Sequence, residues 1–184
     1  GWQWKRKNQL DYIINKLMSD FQKEKLLVLN FINEVDNASE DNLIEIISKY
    51  TSKNFNMKCT HPFNEIIGIE EFATKFWFPI KKSFKPIQRR MDIFYAGTNL
   101  VDNHSSKWVV NMGHLLGSFN FPFFDIQPNF KTVMLWYCEF YKVEDNKIQE
   151  GAFFLDILKF MQHLNLSVVP ELSLIHISEP TRPI

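Results

Sequence analysis

The chain has 184 residues, which suits one domain and leaves little room for a second. Its 21 Lys+Arg residues balance its 21 Asp+Glu residues, so it lacks the net positive charge that favours binding to nucleic acid or to an anionic membrane. No apolar run approaches the roughly 20 residues that span a bilayer, and two cysteines are too few for a disulfide framework, so we expect a cytoplasmic protein. Aromatic residues reach 15%, with 18 Phe, which indicates a large apolar interior and suggests a pocket lined by rings.

Helical periodicity dominates the first half of the chain. Apolar residues recur at the spacing of one helix face from Leu10 to Phe21, and Ser39 stands before acidic residues as a helix start. Pro79 lacks a backbone N–H and should kink the last of these helices or end it early. The predicted helices cover residues 10–21, 26–35, 39–50 and 69–84, with a short strand at 55–59 between the last two.

The second half of the chain predicts antiparallel strands. It is rich in β-branched and aromatic residues, and turn signals such as Gly97-Thr98-Asn99 and Asp145-Asn146 separate its strand-like segments. Helices followed by a run of strands indicate an α+β domain. The predicted strands cover residues 87–96, 107–119, 131–143 and 147–155, and a closing helix is expected over 155–164.

The two ends of the sequence differ from the rest. Residues 172–182 resemble the translation of an adapter used in preparing sequencing libraries, so the tail at 171–184 is interpreted as read-through, with a genuine flexible tail as the alternative. We expect a helical extension over residues 1–21 and one domain over residues 22–170.

The segment around Asp145-Asn146 carries the most functional information. Asp and Asn tolerate the left-handed backbone of a two-residue turn, so Val143 should pair with Ile148, and Glu139 with Ala152. Carboxylates among aromatic rings have raised pKa values when they are desolvated, and can then act as acid or base. A solvated face with ordinary surface charges is the alternative. Because side chains alternate along strands, one face of the hairpin would hold Tyr137, Glu139, Tyr141, Glu150 and Phe154.

Two other strands carry candidate polar residues. Arg90 and Asp92 would share a face with Phe94 and could polarise a ligand oxygen, with an ion pair on the sheet as the alternative. His114 falls on an apolar strand face with Trp108, where it is either a satisfied core residue or a proton donor. The candidate walls of a binding pocket are Trp77, Phe94, Trp108, Trp136 and Phe154, completed by Tyr137, Tyr141 and Glu150.

Motifs for metals and nucleotide cofactors are missing before residue 171. This region has no His-x-x-x-His and no Cys-x-x-Cys spacing. The 6 Gly of the chain are too few for the usual dinucleotide-binding loop. We therefore expect neither a metal nor an organic cofactor.

Three segments of the sequence carry a family resemblance. They are His61-Pro-Phe-Asn-Glu-Ile-Ile-Gly68 with the Phe76-Trp77 helix after it, Trp108-Val-Val-Asn-Met-Gly-His-Leu-Leu-Gly-Ser-Phe119, and Glu139-Phe-Tyr-Lys-Val-Glu-Asp-Asn-Lys-Ile-Gln-Glu150. In their order and spacing they resemble the SnoaL-like polyketide cyclase group of the nuclear-transport-factor-2-like superfamily. The resemblance covers residues 22–170. It implies a strongly curved antiparallel sheet wrapped over helices as a half-open cone, with an apolar pocket inside and a homodimer formed through the sheet.

The resemblance also implies a chemistry. In cyclases of this group an acidic residue on the strand before the last hairpin turn acts as acid/base in an intramolecular aldol condensation, with no metal or cofactor. Glu139 matches that position, with one methylene more than the usual Asp. The assisting histidine of the family matches Leu115, so His114 lies one residue away and would need a bulge to turn toward the pocket.

Two functions fit these observations. The first is a cofactor-independent enzyme, a cyclase, isomerase or hydrolase, that moves protons on a small hydrophobic carbonyl compound or ester. Glu139 would be its acid/base, with His114 or Asp92 assisting. The second is a non-catalytic module that binds a small ligand or forms a dimer. An open cavity with Glu139 at its base favours the enzyme, whereas a cone filled by Phe side chains, or Glu139 paired with an Arg, favours the module.

Overall fold

The structure, a computed structural model, describes residues 21–166. Two helices stand at the start of this part of the chain. Helix α1 (Gln22–Asn37) and helix α2 (Leu43–Tyr50) confirm the predictions over 26–35 and 39–50. The predicted helix from Leu10 onward lies before the described residues. Helix α1 buries one side against the sheet, as its 3- and 4-residue apolar spacing requires, with Val28, Phe31, Ile32 and Val35.

Helix α3 is built in three parts. It starts as Gly68–Glu71, widens into a π-helical turn over Phe72–Trp77, and ends as Phe78–Ser83. The prediction over 69–84 is confirmed, and Pro79 does not end the helix early because it lies in the first turn of the last part, where a missing N–H is tolerated. The π-helical turn places Trp77 in the core.

The strands form one six-stranded sheet in the order β2-β1-β6-β5-β4-β3. Strands β1 and β6 are parallel neighbours, and the other neighbouring pairs are antiparallel. The α+β class is confirmed, although the sheet is mixed where antiparallel pairing throughout was expected. The strands are β1 (Thr51–Cys59), β2 (Glu65–Ile67), β3 (Phe84–Thr98), β4 (Lys107–Phe119), β5 (Thr132–Glu144) and β6 (Lys147–Leu155).

A short helix closes the described region. Helix α4 (Ile157–His163) confirms the prediction over 155–164. Its N-terminus is capped by the Asp156 side chain, which accepts a hydrogen bond from the backbone N–H of Lys159 at 2.9 Å. Phe160 is its buried residue and anchors the helix to the core.

The hairpin between β5 and β6 has the predicted turn but a different register. Asp145 and Asn146 both have positive φ, and Val143 pairs with Ile148 as expected. A bulge at Gln149 then shifts the pairing, so that Glu139 faces Phe153 and not Ala152. The predicted face is therefore wrong for Glu150 and Phe154, which lie on the side of the sheet opposite Glu139.

A second bulge lies in β3 at Asp92. Met91 pairs with Gly113 and Ile93 with Met112, so Asp92 is the extra residue. Gly113 is required there because a Cβ atom would lie 2.0 Å from the backbone oxygen of Arg90. The bulge overturns the predicted face of β3, since Arg90 and Phe94 point to opposite sides of the sheet.

The helices cover one side of the curved sheet, and aromatic side chains occupy the space between them. The inner positions of β5 alternate with outer ones, and β4 follows the same alternation apart from Val110, an outer residue that is also buried. Rings pack edge-to-face or tilted against each other, for example Phe76 against Phe153 with centroids 4.7 Å apart. The fully buried rings of this core include Phe55, Phe72, Phe76, Phe84, Phe119, Phe123, Phe153 and Phe160.

Candidate functional site

Glu139 lies at the centre of the inner face of the sheet. Its position in β5 alternates with outer residues, which turns its side chain toward the helices, and it is 0% exposed. The carboxylate accepts hydrogen bonds from Arg89 Nη1 at 2.9 Å and from the Tyr141 hydroxyl at 2.7 Å. It also accepts one from the amide of Asn111 on β4, which in turn accepts from the Tyr137 hydroxyl at 3.2 Å. Each carboxylate oxygen is thus satisfied inside an apolar core.

Arg89 joins this carboxylate to helix α1. Its Nε and Nη2 atoms donate to both oxygens of Asp36, at 2.7 and 2.9 Å, in a bidentate pair. The guanidinium also lies over two rings, 4.7 Å from the centre of Tyr137 and 5.8 Å from that of Trp77. Glu139, Arg89 and Asp36 therefore form a linear ion-pair chain, which we call the buried triad.

The buried triad has an uneven exposure to solvent. The side chains of Glu139 and Arg89 are 0% and 6% exposed, whereas that of Asp36 is 27% exposed. Burial raises the pKa of Glu139, although Arg89, Tyr141 and Asn111 act in the opposite direction. Burial also disfavours the charged Arg89, but the carboxylates of Glu139 and Asp36 outweigh it and raise its pKa well above the ordinary value. The guanidinium therefore stays charged.

A small cavity borders the buried triad on its Asp36 side. Its volume is about 20 Å³, room for about one water molecule. It is lined by Asp36, Trp77, Lys81, Ile87, Arg89 and Leu115. This space does not admit an organic substrate to Glu139 in the described arrangement.

The other two residues predicted as catalytic lie across the sheet from Glu139. His114 pairs with Trp136 on the outer face, and the two rings are 5.1 Å apart. Its Nδ1 atom is 3.2 Å from Asp92 Oδ2. His114 shares a strand face with Trp108, as predicted, but this is the outer face of the sheet. The structure therefore keeps His114 and Asp92 together and separates both from Glu139.

The predicted pocket walls divide between the two faces in the same way. Trp77, Tyr137 and Tyr141 lie in the core beside the buried triad. Glu150 is corrected to the outer face, where Lys142 Nζ lies 3.1 Å from its carboxylate. The residues found on the outer face are Trp108, Trp136, Glu150 and Phe154, while Phe94 lies on the inner face.

Sequence reasoning missed three members of the site. No sequence pattern assigned a role to Asp36, near the end of helix α1, or to Arg89, which stands next to Arg90. Asn111 carried a usable signal, because it is a polar residue at an inner position between Val109 and Leu115. A polar residue in a buried register needs a partner, and a buried partner on a neighbouring strand should have been sought.

The outer face of the sheet carries exposed apolar side chains. Tyr95, Trp108, Val110 and Phe140 line an open groove of about 360 Å³ at one end of this face. Exposed apolar side chains grouped on one face of a sheet mark an interaction site in many proteins. The exposed apolar residues of the face include Ile93, Tyr95, Met112, Trp136 and Phe154.

Comparison of the structure with solved structures identifies the fold. A candidate SnoaL-like polyketide cyclase from Shewanella denitrificans OS-217 superposes with a TM-score of 0.59 at 14% identity, over 77% of this chain and 96% of that one. The chain has the SnoaL-like, nuclear-transport-factor-2-like fold. An NTF2-like protein from Burkholderia thailandensis (TM-score 0.56, 11% identity, 76% and 95% covered) and a phenazine biosynthesis-related protein from Pseudomonas aeruginosa (0.55, 14%, 91% and 99%) share this SnoaL-like fold. At such identities the likeness extends to the fold alone.

The two comparisons by sequence found no match. No family model matches the chain, and no curated protein matches it. Within residues 21–166, no helix combines the length and the apolar character that a membrane crossing requires. The same residues bring no three His, Cys, Asp or Glu side chains together as a metal site.

Proposed function

We propose that the chain is a non-catalytic module of the SnoaL-like fold that forms a homodimer through the outer face of its sheet. The observation that carries the proposal is the pairing of Glu139 with Arg89 inside a core filled by aromatic rings. A general base must reach the proton it removes, within about 3 Å or through one water. Here the carboxylate of Glu139 is surrounded by protein donors, and its charge is matched by Arg89.

The outer face supplies the surface for association. A stable protein interface buries about 800 Å² on each partner, with aromatic residues and Met enriched at its centre. The outer face offers Trp136 and Met112 on its central strands, with Tyr95 and Phe154 beside them. Its polar groups include the Lys142–Glu150 and His114–Asp92 pairs. Covering this face with a second copy removes the exposed rings from water, which is favourable by about 25 cal/mol per Å² before the costs of association.

The oligomeric state tests the proposal. We expect sedimentation velocity to show a dimer for the full chain and a monomer for Met112→Glu, because a carboxylate would be buried without a partner. Leu26→Glu is the matched control, since Leu26 is an exposed apolar residue on helix α1. A wild-type monomer at about 100 μM, or equal dissociation of both variants, contradicts the proposal.

A second candidate function rests on the raised pKa of the Glu139 carboxyl. In this reading the chain is a cofactor-independent enzyme, and Glu139 removes a proton next to the carbonyl of a small hydrophobic ester once Arg89 has moved aside. Tyr141 and Asn111 would hold the carboxylate in place. Exchange of the α-protons of a small ester such as ethyl acetoacetate with deuterium in D₂O, followed by proton NMR, tests it for wild type and for Glu139→Gln. Equal rates for the two proteins, or no exchange above the buffer rate, exclude this role for Glu139.

A further inference from the structure

The cavity beside the buried triad collects hydrogen-bond donors. Arg89, Lys81 and Trp77 all line it, and each of these side chains carries a hydrogen-bond donor. Asp36 is the one carboxylate among the residues that line it. Among the residues that line the cavity, two cations therefore stand against one carboxylate, while Glu139 pairs with Arg89 from outside the cavity.

Lys81 contributes a positive charge that no carboxylate of residues 21–166 neutralises at ion-pair distance. Its Nζ atom donates to the backbone oxygens of Asp36 and Ala38, at 2.9 and 3.2 Å. Those carbonyls hold the ammonium at the end of helix α1 without cancelling its charge. A partly buried ammonium of this kind attracts an anion.

Trp77 contributes a donor that has no acceptor. Its Nε1–H is fully buried, and no described residue accepts its hydrogen bond, although Trp77 is only 3% exposed. Leaving a buried donor unpaired costs about 1–3 kcal/mol. A ligand oxygen in the adjoining cavity would satisfy the group.

Asp36 is the most exposed member of the buried triad. It lies in the last turn of helix α1, where the helix dipole disfavours a negative charge. Its side chain reaches solvent, whereas the Arg89 guanidinium is fixed from behind by Glu139. The Asp36 carboxylate can therefore turn outward and leave both of its Arg89 donors in place.

We propose that this cavity is a binding site for a small carboxylate, and that the Asp36 carboxylate occupies the Arg89 fork until such a ligand replaces it. The space that Asp36 vacates adds to the present 20 Å³ and gives room for one carboxylate group with a short chain. The ligand would accept two hydrogen bonds from Arg89 and one from Trp77, with Lys81 as a further cation beside it. Because one carboxylate replaces another at Arg89, the number of negative charges beside the guanidinium does not change. This site lies inside the fold, and it is independent of the proposed dimer.

Titration of nitrogen-15-labelled protein with sodium acetate tests the site. The readout is the indole N–H resonance of Trp77, assigned by its loss in Trp77→Phe. We expect a saturable shift with a dissociation constant of about 1–100 mM in wild type. Acetamide, which has the same shape without the charge, and sodium chloride at equal ionic strength should leave the resonance in place.

Three variants test which residues determine the affinity for acetate. Asp36→Asn should bind acetate about fivefold more tightly, because the internal competitor loses its charge, and Lys81→Met about tenfold more weakly. Lys82→Met, the same substitution at an exposed neighbour, should bind as wild type does. An unshifted Trp77 resonance, an equal effect of acetamide, or equal affinities for Lys81→Met and Lys82→Met overturns the proposal and leaves a cavity that holds water only. If Asp36→Asn fails to fold, the wild type and the two Lys variants still decide. None of these measurements depends on whether the chain is a monomer or a dimer.

Discussion

Replacing Arg89 with Met should show how much the buried triad contributes to the free energy of unfolding. The substitution keeps much of the volume of the side chain but leaves the Glu139 carboxylate 0% exposed and without its counterion. Breaking a buried ion pair from one side costs about 3–5 kcal/mol, because the remaining charge is uncompensated. Losing the Arg89–Asp36 pair adds little to this cost, because the partly exposed Asp36 carboxylate can be hydrated once Arg89 is gone. Ion pairs at the protein surface contribute only about 0–1 kcal/mol to stability. We therefore expect a loss of about 3–5 kcal/mol in the free energy of unfolding at neutral pH.

The loss should depend on pH in a defined direction. Without Arg89, the burial that already raises the pKa of Glu139 acts unopposed by its main counterion. The folded state then holds a proton to higher pH than the unfolded chain, whose glutamates titrate near pH 4.3. Stability is therefore retained below the unfolded pKa and is lost as the pH rises through the folded pKa. Arg89→Met should be close to wild type near pH 4.5 and most destabilised near pH 7.5.

Urea unfolding followed by circular dichroism at both pH values measures this effect. Arg90→Met is the matched control, because Arg90 is exposed on the outer face, and it should change stability by less than about 0.5 kcal/mol. The double variant Arg89→Met with Glu139→Gln should recover at least half of the loss, since it removes the unpaired charge. A loss below about 1 kcal/mol, or an equal loss at both pH values, would show that the triad is not a buried ion pair in solution.

Three further predictions concern backbone geometry and thiol reactivity. Gly113→Ala should destabilise the fold by about 3 kcal/mol in urea unfolding, because its Cβ would meet the Arg90 carbonyl, and wild-type stability would disprove the bulge at Asp92. Asn146→Val should cost about 1–2 kcal/mol in the same assay, because Asn146 has a φ of 57°, whereas Asn146→Gly should not destabilise; equal stability of the two variants would contradict the turn. Burial raises the pKa of Cys59 to about 12, so its alkylation by iodoacetamide, followed by mass spectrometry, should be slow at neutral pH and faster after unfolding in urea. Equal rates in folded and unfolded protein would refute the burial of this thiol.

Local patterns in the sequence predicted most of the fold. The 3.6-residue apolar spacing predicted α1 and α2, because it marks the helix face that packs on the core. Enrichment in β-branched and aromatic residues between turn signals predicted β3 to β6. The turn at Asp145-Asn146 was also readable, since few residue types tolerate two successive positive φ values. Alternation placed Glu139 on one face of the hairpin with Tyr137 and Tyr141 but left open whether that face is buried or solvated, and the structure shows that it is the inner face.

The partners of Glu139 depended on long-range contacts. Arg89 is 50 residues away along the chain and Asp36 is 53 residues from Arg89, so no spacing rule relates them. Single-residue bulges at Asp92 and Gln149 reverse the faces of whole strand segments, and they left no signal that single-sequence patterns could read. Whether the cone holds a pocket or packed rings is settled by the summed volumes of side chains from every element, a property of the assembled core that no local stretch of sequence contains.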